Sequence, residues 1–184
     1  MNSVRPMSSS VAALHDNVIE ISIADQQLRI LSAGVCYEYS VSTAANGAGE
    51  QEGSGKTPRG WHRIRACIGR GAPLNSVFVG RRRTGEIYTP ELAAEHPRRD
   101  WILTRILWLQ GLEIGRNRLG SVDSMRRYIY IHGTPDSEPM GKPLSHGCIR
   151  MRNDDVVELA GLIDADTRVW IQEGTFARIP CRNL

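Results

Sequence analysis

No two of the four cysteines, Cys36, Cys67, Cys148 and Cys181, form a C-x-x-C pair. That excludes a zinc knuckle and a thioredoxin-type redox motif. No stretch approaches the roughly 20 apolar residues of a membrane span. The N-terminal residues hold one short apolar cluster, Val11 to Leu14, whereas a secretory signal needs about 7–15 apolar residues behind a basic start. The sequence as given therefore reads as cytoplasmic, and as periplasmic if a leader precedes it. Net charge is also small, at +3, which is too little to imply nucleic acid. The basic clusters Arg81-Arg82-Arg83, Arg98-Arg99 and Arg126-Arg127 have acidic residues between them and no aromatic-rich RNA-binding signature beside them. They read as solvated surface.

What is present suits a globular chain. Its 184 residues fit one domain, and 41% hydrophobic residues supply a core that a disordered chain would lack. Period-two alternation recurs along it. Ile19, Ile21 and Ile23 share one face of "VIEISI", "LRIL" continues as a strand, and Val35, Tyr37, Tyr39 and Val41 alternate again. Further strands are expected over Gly60–Ile68, "NSVFVGRR", "RRYIYIHGT" and "TRVWIQ", while "WILTRILWLQ" suits a buried strand or a short helix. Thr89 as N-cap and Pro90 at the first helical position predict a short helix. Val156, Leu159, Ala160 and Ile163 fall on one face of a second helix capped by Asn153 or Asp154. The sum is a mainly β domain of β-rich α+β type over residues 17–173, with one or two peripheral helices. A flexible lead-in (1–16) and a tail (174–184) flank it. Cys36 and Cys67 sit in apolar alternating runs and read as buried thiols, with no disulfide framework expected.

The chemistry concentrates in "IHGTPDSEPMGKPLSHGCIR", Ile131 to Arg150. His132 ends a strand. Pro135, Pro139, Gly141, Pro143 and Gly147 then bend the chain back towards Cys148 at low closure cost. A cysteine beside a histidine is an activated nucleophile, because an imidazolium stabilises the thiolate. Lowering a thiol pKa by about two units, worth roughly 2.7 kcal/mol, makes the thiolate the majority form at neutral pH. Gly147 permits a tight turn, and the N–H groups of Gly147 and Cys148 are candidate oxyanion donors. A zinc site from His132, His146 and Cys148 lacks a suitably spaced fourth ligand, so no metal or cofactor is expected.

Taken together, His132-Gly133 and Ser145-His146-Gly147-Cys148-Ile149-Arg150 resemble the catalytic signature of the YkuD-type L,D-transpeptidase domain. The opening meander "IADQQLRIL…YSVSTA" and the entry "GKTPRGWHRI" look similar to the same family, so the likeness covers roughly residues 17–173. It implies a YkuD-like β-sandwich or meander and a specific reaction, opening of the amide between the L-centre of diaminopimelate and the terminal D-alanine of a peptidoglycan tetrapeptide. Cys148 would be the nucleophile, His132 the base, and the Gly133 carbonyl the group that orients the imidazole. His146 and Gly147 would line the oxyanion site.

Ser145 is a loop hydrogen-bonder or a turn former. Arg150 would hold a substrate carboxylate or sustain thiolate charge, and Tyr130 shares the His132 face of its strand. Carbapenems are expected to acylate Cys148. With a cytoplasmic setting the expected substrate is a soluble tetrapeptide or muropeptide, and the expected activity is L,D-carboxypeptidase. A 3–3 cross-linking L,D-transpeptidase and a catalytically degenerate muropeptide-binding module remain open. The stretches 69–85 and 86–99 are candidate covers of the cleft.

Overall fold

The computed structural model describes residues 17–177. The expected lead-in, the last seven tail residues and Cys181 lie outside the described residues. The chain runs β1 (Val18–Ser22), β2 (Gln27–Ser32), β3 (Val35–Ser40), β4 (Gly60–Ile68), β5 (Ser76–Val79), β6 (Arg82–Ile87), α1 (Pro90–Glu95), β7 (Ile102–Gly111), β8 (Tyr130–Gly133), β9 (Ile149–Met151), α2 (Asn153–Leu162) and β10 (Arg168–Gln172). A single 3-10 turn, Gly120–Val122, lies between β7 and β8.

All ten strands join one curled sheet, in the order β3-β2-β1-β10-β4-β7-β5-β6, with β8 on β7 and β9 on β8. The mainly β reading holds, and the opening meander is β1 to β3 as the alternation predicts. β10 returns to pair in parallel with β1. Isolated bridges from Ser42 to Arg150 and from Ala44 to Ser145 close the curl beside β9. The curl and α2 enclose the main core. Ile19, Ile21, Leu28, Ile30, Leu107, Leu109, Ile131 and Ile149 meet Val156, Leu159 and Ala160 there. Each such side chain contributes roughly 1.5–3 kcal/mol by leaving water. No helix among the described residues is long and apolar enough to cross a membrane.

"WILTRILWLQ" resolves into the strand β7, with Leu107 and Leu109 in the main core and Ile106 and Trp108 in a second apolar cluster on the other face. The stretch 69–85 is not all loop. β5 and β6 form a hairpin whose turn residues, Gly80 and Arg81, are both left-handed, with φ 55° and 67°. That is the geometry a two-residue hairpin needs. β6 escapes a hydropathy reading because its residues are almost all exposed, as befits a charged edge strand. Thr89 caps α1 as expected, accepting from the Leu92 N–H at 3.2 Å. In α2 the cap position falls instead on Arg152, which makes no side-chain cap bond. Asn153 is buried, and its amide is spent on Thr104 and Thr134.

Candidate active site

β8 and β9 run parallel, with Ile131 opposite Ile149, His132 opposite Arg150 and Gly133 opposite Met151. Alternation sends Ile131 and Ile149 into the main core and turns their neighbours the other way. Tyr130, His132, Cys148 and Arg150 therefore form a two-by-two block on one face. All four line a cavity of about 460 Å³, together with Arg81 and Asp100. The sharp loop between the strands brings residues 132 and 148 to the same site, as the spacing predicts.

His132 is buried, and its Nδ1 lies 2.8 Å from the Gly133 carbonyl oxygen. A carbonyl only accepts, so Nδ1 carries the proton and Nε2 is the basic nitrogen. Residue 133 must be glycine. A Cβ there would collide with Asn153 Oδ1, meet Leu103 O at 2.8 Å and meet Thr104 Cβ at 3.2 Å. The crowding comes from a bulge in β7, where the β7–β8 register shifts between Leu103 and Ile106 and Thr104 takes φ 66°. Thr104 Oγ1 donates to Asn153 Oδ1 at 2.5 Å, and Asn153 Nδ2 donates to Thr134 O at 2.9 Å.

Burial acts against the expected thiolate. Burial pushes the Cys148 thiol up to about 12, against the opposing pull of the Tyr130 N–H at 3.4 Å. Asp100 adds to the rise, while Arg150 and Arg127 reduce it. Burial likewise lowers His132 below the usual imidazole range, with the Gly133 carbonyl and Asp100 opposing. Burial thus works against both members of a thiolate–imidazolium pair. Desolvation disfavours both charged forms, and the nearby charges do not offset it.

Ser145 is buried and staples the loop that carries Cys148. Its Oγ donates to the Cys148 carbonyl at 2.5 Å and accepts from the Gly147 N–H at 3.2 Å. The Gly147 N–H is therefore engaged within the loop. The N–H groups of His146 and Cys148 donate to no other described residue. Gly147 sits at φ 131°, 3.4 Å (for a built Cβ) from Lys56 O, and its carbonyl accepts from Thr57 Oγ1 at 3.0 Å. Arg127 holds that supporting loop by donating to Gly49 O, Glu50 O and Lys56 O at 3.2, 2.7 and 2.6 Å. His146 is exposed at the cavity rim.

Arg150 is buried, and its guanidinium pairs with Asp100 and Glu138, each at 3.2 Å. It faces the cavity but is already bound to two carboxylates. Arg81, Asp100 and Tyr128 line the same cavity, and the sequence reading did not place them there. Arg81 stood in a run of three arginines, and only the hairpin turn separates it from its exposed neighbours. Asp100 and Tyr128 carry no local signal.

The other thiol expectations divide. Cys67 is a free, half-buried thiol raised by burial. Cys36 is disulfide-bonded, which corrects its reading as a thiol. It lies half-exposed on β3, the edge strand, where a side chain can be reached from outside the sheet.

The profile of the YkuD family, the L,D-transpeptidase catalytic domain, matches residues 16–171. The chain is 48% identical over 46 residues to the YkuD protein of Bacillus subtilis, a stretch covering 25% of this chain and 28% of that one. It is 54% identical over 43 residues to YqjB of the same organism, covering 23% and 24%. The matched stretch thus spans about a quarter of those relatives' length. Among solved structures, L,D-transpeptidase 3 of Mycobacterium tuberculosis, in complex with a faropenem-derived adduct, superposes with a TM-score of 0.51 at 15% identity. The superposition covers 85% of this chain and 60% of that one. An L,D-transpeptidase of Enterococcus faecium gives 0.51 at 14% identity, covering 86% and 50%. With the His132-Gly133 strand end and the Ser145–Arg150 loop lining one cavity on a curled sheet, and a family match over most of its length, the chain belongs to the YkuD family of L,D-transpeptidase catalytic domains.

Proposed function

We propose that Cys148 opens the amide between the L-centre of diaminopimelate and the terminal D-alanine of a peptidoglycan tetrapeptide, forming a thioester. The observation that carries this is the shared cavity of Cys148 and His132, with His132 Nδ1 fixed 2.8 Å from the Gly133 carbonyl. As Sγ attacks the carbonyl carbon, its proton passes to His132 Nε2, so charge separates only during the reaction. The N–H groups of His146 and Cys148 are the donors available to the developing oxyanion. His132 then gives its proton to the departing D-alanine nitrogen, the C–N bond breaks, and the acyl group stays on sulfur.

The thioester has two fates. Attack by water releases a tripeptide, the L,D-carboxypeptidase activity expected in a cytoplasmic setting. Attack by an amine of a second stem gives a 3–3 cross-link. We favour the amine on two observations. A second cavity of about 280 Å³ adjoins the first, and the two share Asp100, His146 and Arg150. The Cys36 disulfide also fits an oxidising compartment better than the cytoplasm.

Carbapenem acylation of Cys148 is expected from the same nucleophile. The test is product analysis by mass spectrometry after incubation with a soluble tetrapeptide. Cross-linked dimers support transfer, and tripeptide with free D-alanine supports hydrolysis. Loss of both in Cys148→Ala and in His132→Ala is expected. Full turnover by either variant would remove that residue from its role.

A further inference from the structure

We propose that Arg81 is the carboxylate-binding residue of the cleft, holding a carboxylate of the stem peptide beside Cys148. This rests on the stem-peptide reading above and names the group on the protein that recognises that substrate. Arg81 lies on the left-handed turn of the β5–β6 hairpin and lines the cavity that holds Cys148 and His132. Its guanidinium carbon stands 4.4 Å from the Trp108 ring centroid and 5.0 Å from that of Tyr128. Its Nη1 donates to the Tyr130 hydroxyl at 3.0 Å. Two aromatic faces and one hydrogen bond therefore fix the planar fork in place before any ligand arrives.

The contrast with Arg150 in the same cavity is what points to a ligand. Arg150 is compensated by Asp100 and Glu138. No carboxylate among the described residues pairs with Arg81. A half-buried guanidinium without an anion has lost hydration and gained no countercharge. Its remaining N–H groups form a fork that matches a carboxylate. Tyr130 oxygen already accepts from Arg81, so its own proton remains to be donated to the same anion. A stem tetrapeptide carries carboxylates within reach of the cut bond at three places, on the departing D-alanine, at the far end of the diaminopimelate side chain and on the α-carbon of the γ-linked glutamate that precedes it.

The test compares four synthetic tetrapeptides: unmodified, ending in D-alaninamide, amidated on the distal diaminopimelate carboxyl, and amidated on the glutamate α-carboxyl. Each is assayed for kcat and KM with the wild type, Arg81→Gln and Arg81→Lys, and for calorimetric binding in a Cys148→Ala background. Both Arg81 substitutions keep a Cβ, so the left-handed turn is under the same demand as before. On the unmodified peptide, Arg81→Gln is expected to raise KM by about tenfold to a hundredfold, the loss of a charged hydrogen bond, with little change in kcat. Arg81→Lys should recover part of that loss. The wild type should show the same KM rise on one amidated peptide, and on that peptide Arg81→Gln should lose nothing further. Which amidation does this identifies the carboxylate. Additive losses, or an Arg81→Gln enzyme equal to wild type on the unmodified peptide, would overturn the proposal. A wild type that neither turns over nor, as Cys148→Ala, binds any of the four would instead sink the stem-peptide reading on which it stands.

Discussion

The Cys148 thiol donates to the carbonyl oxygen of Tyr128 at 3.4 Å. That contact favours the protonated sulfur, in the same direction as burial, which pushes the thiol up to about 12. Alkylation of Cys148 by iodoacetamide should therefore rise about tenfold per pH unit from pH 7 to pH 9, without a plateau. Peptide mapping distinguishes it from Cys67, the other free thiol among the described residues. A rate already saturated near pH 6 would restore the thiolate–imidazolium pair.

With His132 as the proposed base, its lowering is expected to set the acid limit of turnover. Its folded pKa lies below the ordinary 6.5, so the basic Nε2 persists into mildly acidic solution. The acid limb of kcat/KM is expected below pH 6.5, and a limb centred above 7 would contradict a buried neutral imidazole.

Stability should follow the same sign. His62 is buried between Gly60 O at 3.0 Å and Ser124 Oγ at 2.9 Å, and burial lowers it to about 4. Between about 4 and 6.5 the unfolded chain binds a proton that the folded one refuses, so this stabilisation is present above 6.5 and lost as the pH falls. The His62 contribution amounts to about 3 kcal/mol. Urea midpoints should drop steadily from pH 7 to pH 4, and a flat profile down to pH 5 would be incompatible with it.

Gly133→Ala is expected to cost about 1–3 kcal/mol by overpacking against Leu103 O and Asn153 Oδ1. Turnover should fall further than stability accounts for, because the displaced carbonyl is the one that fixes His132. Thermal melts and kcat measured on the same preparation check both halves.

Arg150→Ala should act on structure before substrate. It leaves Asp100 and Glu138 without their cation. The expected loss is about 1–2 kcal/mol, less than for a fully buried pair because both carboxylates are partly exposed. An unchanged melting temperature with a raised KM would show instead that Arg150 serves the substrate directly.

Much of this protein was legible in its residues. The alternation of Ile19, Ile21 and their successors placed the meander, and Thr89-Pro90 placed α1. The His132–Cys148 spacing, with its glycines and prolines, marked the site, since a short loop between parallel strands leaves its ends few other places to go. β6 was hidden because an exposed edge strand of arginines has no period to read.

Local backbone preference and side-chain alternation act over a few residues, so the chain itself carried the strands, the helix faces and the presence of an imidazole and a thiol at one cavity. The surroundings that resist ionisation of either group were set elsewhere. Ionisation depends on the solvent excluded by the curled sheet, and on Asp100, Tyr128 and Arg127, which sequence distance separates from Cys148 and folding sets near it. The different tasks of Arg81 and Arg150 arose the same way. The two side chains are chemically identical, and only the groups packed around each determined that one is neutralised and the other left facing the cleft.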